Sequence, residues 1–177
     1  MTPSDPIPTL NPTEPIADKW MVLHTKSRQE KAVARHLEAA GCDFDLPLLH
    51  RTTTTKGRKH ESDIPLFSGY VFLKGQLQDA YDAMATKRIC NIIEVKDQQS
   101  LQSQLEKIHE AIDTGLPMEE YPQMAKGTRC RVISGPLQGT EGVVIEHARK
   151  TRLILQVEIL GIGAAVEIKQ DELETID

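Results

Sequence analysis

Catalysis needs acids, bases or nucleophiles at particular spacings, and this chain does not supply them. His24, His36, His50, His60, His109 and His147 are scattered, with no pair at the helical spacing that metal binding requires. Cys42, Cys90 and Cys130 are odd in number and far apart, which suits neither a zinc site nor a disulfide framework. No glycine-rich phosphate loop is present, and no serine or cysteine stands in a nucleophile motif. What the residues do offer is adhesion. The chain contains three Phe, three Tyr and one Trp, and Phe67, Tyr70 and Phe72 fall together in Ile-Pro-Leu-Phe-Ser-Gly-Tyr-Val-Phe-Leu-Lys (64–74). No metal, cofactor or covalent chemistry is expected; the expected activity is binding.

From Ser68 onward that stretch is rich in β-branched and aromatic residues and reads as a strand. Alternation separates Phe67, Val71 and Leu73 from Tyr70 and Phe72. Both sets are apolar, so the strand is either sandwiched between layers or covered on one side by a partner, and the aromatic face is expected to be a protein-docking surface. Trp20, Val22 and His24 share one face of a second expected strand, Trp20 to Lys26, and are candidates for the same pocket.

Bulk properties narrow the partner. At 177 residues, one or two small domains are expected. There is no apolar run of about eighteen residues, so no membrane-spanning helix is expected. The opening Met-Thr-Pro-Ser-Asp lacks the basic-then-apolar order of a secretory signal. Together with the cysteine usage, this points to the cytoplasm. The net charge of -5 argues against a strongly basic nucleic-acid binder. Residues 19–116 hold 13 acids against 14 bases, and residues 126–177 hold 8 against 7. Each part is near neutral, which leaves room for a local basic loop and no more.

Residues 1–18 are proline-rich and aperiodic and read as a disordered leader. After the first strand, Ser27 and Glu30 have the spacing of a capping box, and Ala32, Val33, His36, Leu37 and Ala40 recur at helical intervals up to Gly41. Residues 42–53 are extended. Four threonines (52–55) and then Lys56-Gly57-Arg58-Lys59-His60 read as the arm and tip of a long hairpin. Helices are expected over Asp79–Arg88 and along Leu101, Leu105, Ile108 and Ile112, with the strand Ile89–Val95 between them. This order predicts an α+β fold for residues 19–116, an antiparallel sheet with helices on one face. Residues 117–125 carry Pro117, Pro122 and two glutamates without periodicity and read as a linker. Residues 126–177 are short strands with glycine corners, the pattern of a small all-β barrel.

Within that last part, Gly127-Thr-Arg-Cys-Arg-Val-Ile-Ser-Gly-Pro-Leu-Gln-Gly-Thr-Glu-Gly-Val-Val resembles a KOW motif. Gly135, Pro136, Gly139 and Gly142 are its structural turn residues. Trp20-Met-Val-Leu-His-Thr-Lys and Pro-Leu-Phe-Ser-Gly-Tyr-Val-Phe-Leu resemble the N-terminal domain of the NusG family of transcription elongation and antitermination factors. With the SH3-like KOW barrel behind it, the resemblance covers about residues 19–173.

That resemblance implies a function. The first domain would dock on the clamp helices of the largest RNA polymerase subunit through Tyr70, Phe72, Phe67, Trp20, Val22 and His24, and would suppress pausing. The basic hairpin, Arg51, Lys56, Arg58, Lys59 and His60, would lie near upstream or non-template DNA. The KOW domain would recruit a second partner through Ile159, Leu160 and Ile162. Two departures stand out. Ser68 replaces the usual proline, and Leu160-Gly161-Ile162 replaces the usual Phe-Gly-Arg. Losing an aromatic anchor and a cation weighs against the termination factor Rho and leaves a small-subunit ribosomal protein as the partner. These departures and the leader suggest a specialised, RfaH-like paralogue, expected to be monomeric. The rival reading is a KOW-type RNA-binding protein of ribosome assembly or translation, which predicts a basic barrel; residues 126–177 are slightly acidic instead.

Overall fold

The computed structural model describes residues 17–176, so nearly all of the stretch read as a leader lies outside the described residues. The expected first strand forms as β1 (Lys19–Thr25), with Met21, Val22 and Leu23 buried. Helix α1 (Glu30–Ala39) follows and turns Val33, Ala34 and Leu37 inward. Its start corrects the capping-box expectation. Gln29 occupies the cap position without a side-chain cap, and Glu30 is buried. The Glu30 carboxylate accepts instead from the backbone N–H of Gly69 at 2.8 Å. A tertiary partner won, since a donor buried without an acceptor costs about 1–3 kcal/mol.

The chain continues through β2 (Asp43–Asp45), β3 (Leu48–Thr55), β4 (Arg58–Pro65), β5 (Tyr70–Gly75), α2 (Leu77–Met84), β6 (Ile89–Glu94) and α3 (Gln98–Asp113). Strands β3 and β4 form the long hairpin, turning at Lys56 and Gly57. Their φ angles of 52° and 76° are those of a two-residue primed turn, which matches the strand twist. The other strands make one antiparallel sheet in the order β2-β5-β1-β6.

Helices cover both faces of this sheet, where one was expected. Met21, Leu23, Val71 and Leu73 pack with Val33 and Leu37 of α1 and Ala80 and Ala83 of α2. On the reverse face Val22 and Phe72 pack with Leu101, Leu105, Ile108 and Ala111 of α3. The four α3 residues lie on one side of the helix, a stripe that has to be buried somewhere. The apolar face of β1 and β5 is the surface that accepts it.

Residues 117–125 are more than a linker. They contain β7 (Met118–Tyr121), paired antiparallel to β11 (Ile162–Glu167). The expectation failed because Glu119-Glu120 between two prolines has weak strand propensity, while the open edge of β11 needs backbone partners. With β8 (Thr128–Val132), β9 (Glu141–His147), β10 (Lys150–Val157) and β12 (Leu173–Thr175) they form a six-stranded antiparallel sheet, ordered β12-β8-β9-β10-β11-β7. At its corners Gly135 and Gly139 adopt φ of 84° and 90°, the latter just after the Pro136 turn. Gly142 serves close packing: an added Cβ would stand 2.7 Å from the Ile154 carbonyl oxygen. Strand β10 packs against α3, and one continuous apolar cluster runs from Val22 and Phe72 through α3 to Leu153, Leu155 and Val157.

Candidate docking surface

Antiparallel register sets the six face residues of β1 and β5 opposite one another as Trp20–Lys74, Val22–Phe72 and His24–Tyr70. The structure therefore brings together Trp20, Val22, His24, Tyr70 and Phe72, as expected. It does not leave them open. Val22 and Phe72 are fully buried under α3. Phe67 is buried too, and alternation misplaced it. It precedes the strand, and Gly69 (φ 86°) turns the chain so that the Phe67 ring meets Phe72 edge-on at 6.3 Å and 84°. Phe67 and Phe72 thus belong to one layer, and both are core.

Trp20 is half-buried and held by α3 at three points. Its backbone N–H donates to Gln98 Oε1 at 2.6 Å, its carbonyl accepts from Gln98 Nε2 at 2.9 Å, and its indole N–H donates to Gln102 Oε1 at 2.7 Å. Lys74 Nζ lies 5.7 Å from the ring centroid. Trp20 fastens the N-terminal end of α3 to the sheet. At the other end His109 Nε2 meets both carboxylate oxygens of Asp45, on β2, at 2.7 Å. The helix is pinned across the sheet at both ends.

That leaves His24 and Tyr70. Their rings stack at 5.1 Å and 21°, and both remain half-exposed at the rim of the covered face. An aromatic pair with one side buried and one side wet is suited to anchoring a partner.

The pin at His109 is sensitive to protons. The hydrogen bond to Asp45 raises the His109 pKa, burial opposes this, and the charges of Asp45 and Asp113 add to the rise. A group whose folded pKa is raised stabilises the fold below its unfolded value, about 6.5, and loses that contribution as pH rises through the folded value. The urea midpoint should therefore fall across that window, and His109→Gln should flatten the fall. Equal pH profiles for the two chains would rule the pin out as a source of stability.

The hairpin brings Lys56, Arg58, Lys59 and His60 together at its tip, all exposed, with Lys59 3.7 Å from Glu61. Arg51 is not part of that cluster. It sits near the hairpin base opposite Ser62 and lines a cleft of 670 Å³ with Leu49, Ile112 and Met118. Sequence reasoning missed a second basic group. The Lys26 N–H donates to the Arg88 carbonyl at 2.8 Å and Arg88 Nε donates to Gln29 Oε1 at 3.1 Å, so the segments that carry Lys26, Arg28 and Lys31 and those that carry Lys87 and Arg88 meet. These cations are some 60 residues apart in the chain, so no local charge count reveals them.

In the second sheet Ile159 is exposed while Leu160 and Ile162 are half-buried against the shared cluster. Ile159 and Leu160 lie in a short turn (Glu158–Leu160) closed by Gly161 at φ 65°, and Ile162 follows it. The Glu158 N–H donates to Gln104 of α3 at 3.2 Å. On β7, Glu120 accepts from the Ser68 N–H, and burial pushes its carboxyl upward. The loop expected to meet a second partner therefore lies against α3. Among the described residues, no cluster of His, Cys, Asp and Glu could hold a metal ion, and no helix is long and apolar enough to cross a membrane.

A family model described as "Transcription termination factor nusG" matches residues 18–109, just over half of the chain. The chain belongs to the NusG family. Its members are transcription factors that bind RNA polymerase, and the match ends within α3. Among solved structures, "Domain interaction in Thermotoga maritima NusG" is similar, with a TM-score of 0.48 and 20% identity over 90% of this chain and 98% of that one. No curated protein matches the sequence.

Proposed function

We propose that this NusG-family chain is a transcription elongation and antitermination factor that docks on the clamp helices of RNA polymerase. Residues 19–116 act as the docking unit, 117–125 connect, and 126–177 act as a KOW unit that recruits a second partner. The observation that carries this reading is the stacked, half-exposed His24–Tyr70 pair on the β1–β5 face. Phe67, Phe72 and Val22 support it from beneath, and Trp20 holds the roof. The mechanism is tethering: binding energy holds the polymerase in its productive state. Two contacts extend it. The hairpin tip would meet upstream DNA, and Ile159, Leu160 and Ile162 would meet a ribosomal protein once the turn parts from Gln104 of α3. The altered Leu160-Gly161-Ile162 loop favours a specialised, RfaH-like factor over one that recruits Rho.

The test is transcription in vitro on a pausing template with the full chain. Shorter pauses are expected, and unchanged pause lifetimes would overturn the proposal. The DNA contact has its own check. Neutralising Lys56, Arg58 and Lys59 should lower the salt dependence of DNA binding, the slope of log K against log salt, by about 2–3. An unchanged slope would leave the hairpin as a solvated arm and turn attention to Lys26, Arg28 and Lys31.

A further inference from the structure

Helix α2 has two apolar faces, and the sheet covers one of them. Ala80 and Ala83 pack inward, while Leu77, Tyr81 and Met84 are 53%, 52% and 36% exposed. Their spacing of four and three residues makes one stripe, about 10 Å long. The acids of the helix are engaged on its other flanks. Asp79 accepts from the Gln76 N–H and hydrogen-bonds Cys42, and Asp82 accepts from Gln78. Just past the stripe stand Lys87 and Arg88, both exposed.

The chain enters the fold beside this helix. Asp18 accepts from the Gln76 side chain at 2.7 Å, one position before Leu77. Residues 1–16, which lie outside the described residues, are therefore tethered at one end of the stripe. Their sequence matches it. Ile7, Leu10 and Ile16 recur in steps of three, the repeat of a polyproline II helix, and the prolines among them favour that conformation. Residues 1–18 carry Asp5, Glu14 and Asp18 and no Lys or Arg.

We propose that residues 5–10 of this leader lie along α2 as a polyproline II strap, antiparallel to the helix. One turn of such a strap rises about 9 Å, so Leu10 and Ile7 meet Leu77 and Met84, and the Pro8 ring rests on Tyr81 between them. Asp5, two residues further out, then reaches the cations Lys87 and Arg88. Asn11-Pro12 supplies the turn that sends the chain back, and residues 11–17 close the return to Asp18, for which at most about 27 Å of extended chain is available. Tether, repeat and charge select this occupant together: the leader is acidic, and the far end of the stripe is basic. Any other protein that uses the stripe must displace a competitor held at an effective concentration on the order of millimolar. The strap lies on the α1–α2 side of the sheet and leaves His24 and Tyr70, on the opposite face, untouched. It stands or falls separately from docking at that pair. The expectation of a leader disordered throughout is replaced by one ordered over residues 5–10.

Disulfide trapping in the full chain tests the register. In a Cys42→Ser, Cys90→Ser background, Leu10→Cys paired with Leu77→Cys should close an intramolecular bridge on mild oxidation. It should do so about tenfold faster than Leu10→Cys paired with Gln78→Cys, which is equally near the tether and points away from the stripe. Ile7→Asp should slow the first pair to the rate of the second. In the chain with its own cysteines, Ile7→Asp should also shift the methyl resonance of Met84. Equal closure rates for the two pairs, or a Met84 resonance indifferent to Ile7→Asp, would overturn the proposal. Bridges formed between two chains would make a second copy the occupant and overturn it as well.

Discussion

Phe72→Ala is expected to destabilise the chain by about 3–5 kcal/mol, seen as a lower urea midpoint at an unchanged slope. Phe72 has no exposed surface, packs edge-on against Phe67, and lies under Leu101, Leu105 and Ile108 of α3. Truncation removes a whole ring from a close-packed layer that cannot collapse, because α3 is pinned at Trp20 and at Asp45. The loss is therefore one of packing in the free protein. If Phe72→Ala were as stable as the unaltered chain, the roof over this face would be wrong, and Phe72 would return to the list of open anchors.

Tyr70→Ala should behave in the opposite way. Tyr70 is partly exposed at the edge of the core cluster, its neighbour His24 remains, and among the described residues no hydrogen bond of its hydroxyl ties it to the core. Stability should change by about 1 kcal/mol or less, typical of a partly exposed site. Polymerase binding should weaken by on the order of 2 kcal/mol, about thirtyfold, the scale of an aromatic anchor in an interface. Capture of core RNA polymerase by the full chain, unaltered or Tyr70→Ala, measures it. Equal capture would remove the His24–Tyr70 pair as the docking site. The contrast between these two expected results separates the two aromatic residues of one strand face, one buried in the core and one proposed as the anchor.

Much of this was legible in the residues. Alternation in Trp20 to Lys26 and Ser68 to Lys74 marked the two central strands, and glycine with its neighbours marked the hairpin tip and the corners of the second sheet. These are local signals, set by backbone sterics and by side chains that alternate at a period of two. The helical stripe of α3 was equally plain, but its destination was not. A stripe says that a helix must be covered and is silent on what covers it. Glu30 illustrates the same limit: its spacing from Ser27 fits a local cap, and the fold spends it on Gly69, 39 positions on.

What the sequence alone determined, then, is the two antiparallel β systems, the helices between them, the NusG likeness and the set of residues on the β1–β5 face. Tertiary structure alone decided which of those residues stay accessible. It buried Phe72, Phe67 and Val22, left His24 and Tyr70 at the rim, and laid the Glu158–Leu160 turn against α3. The physical reason is that facing is fixed by the geometry of a single strand, whereas exposure depends on which distant apolar stripe finds that face first, and burial rewards any good match irrespective of its separation in the chain.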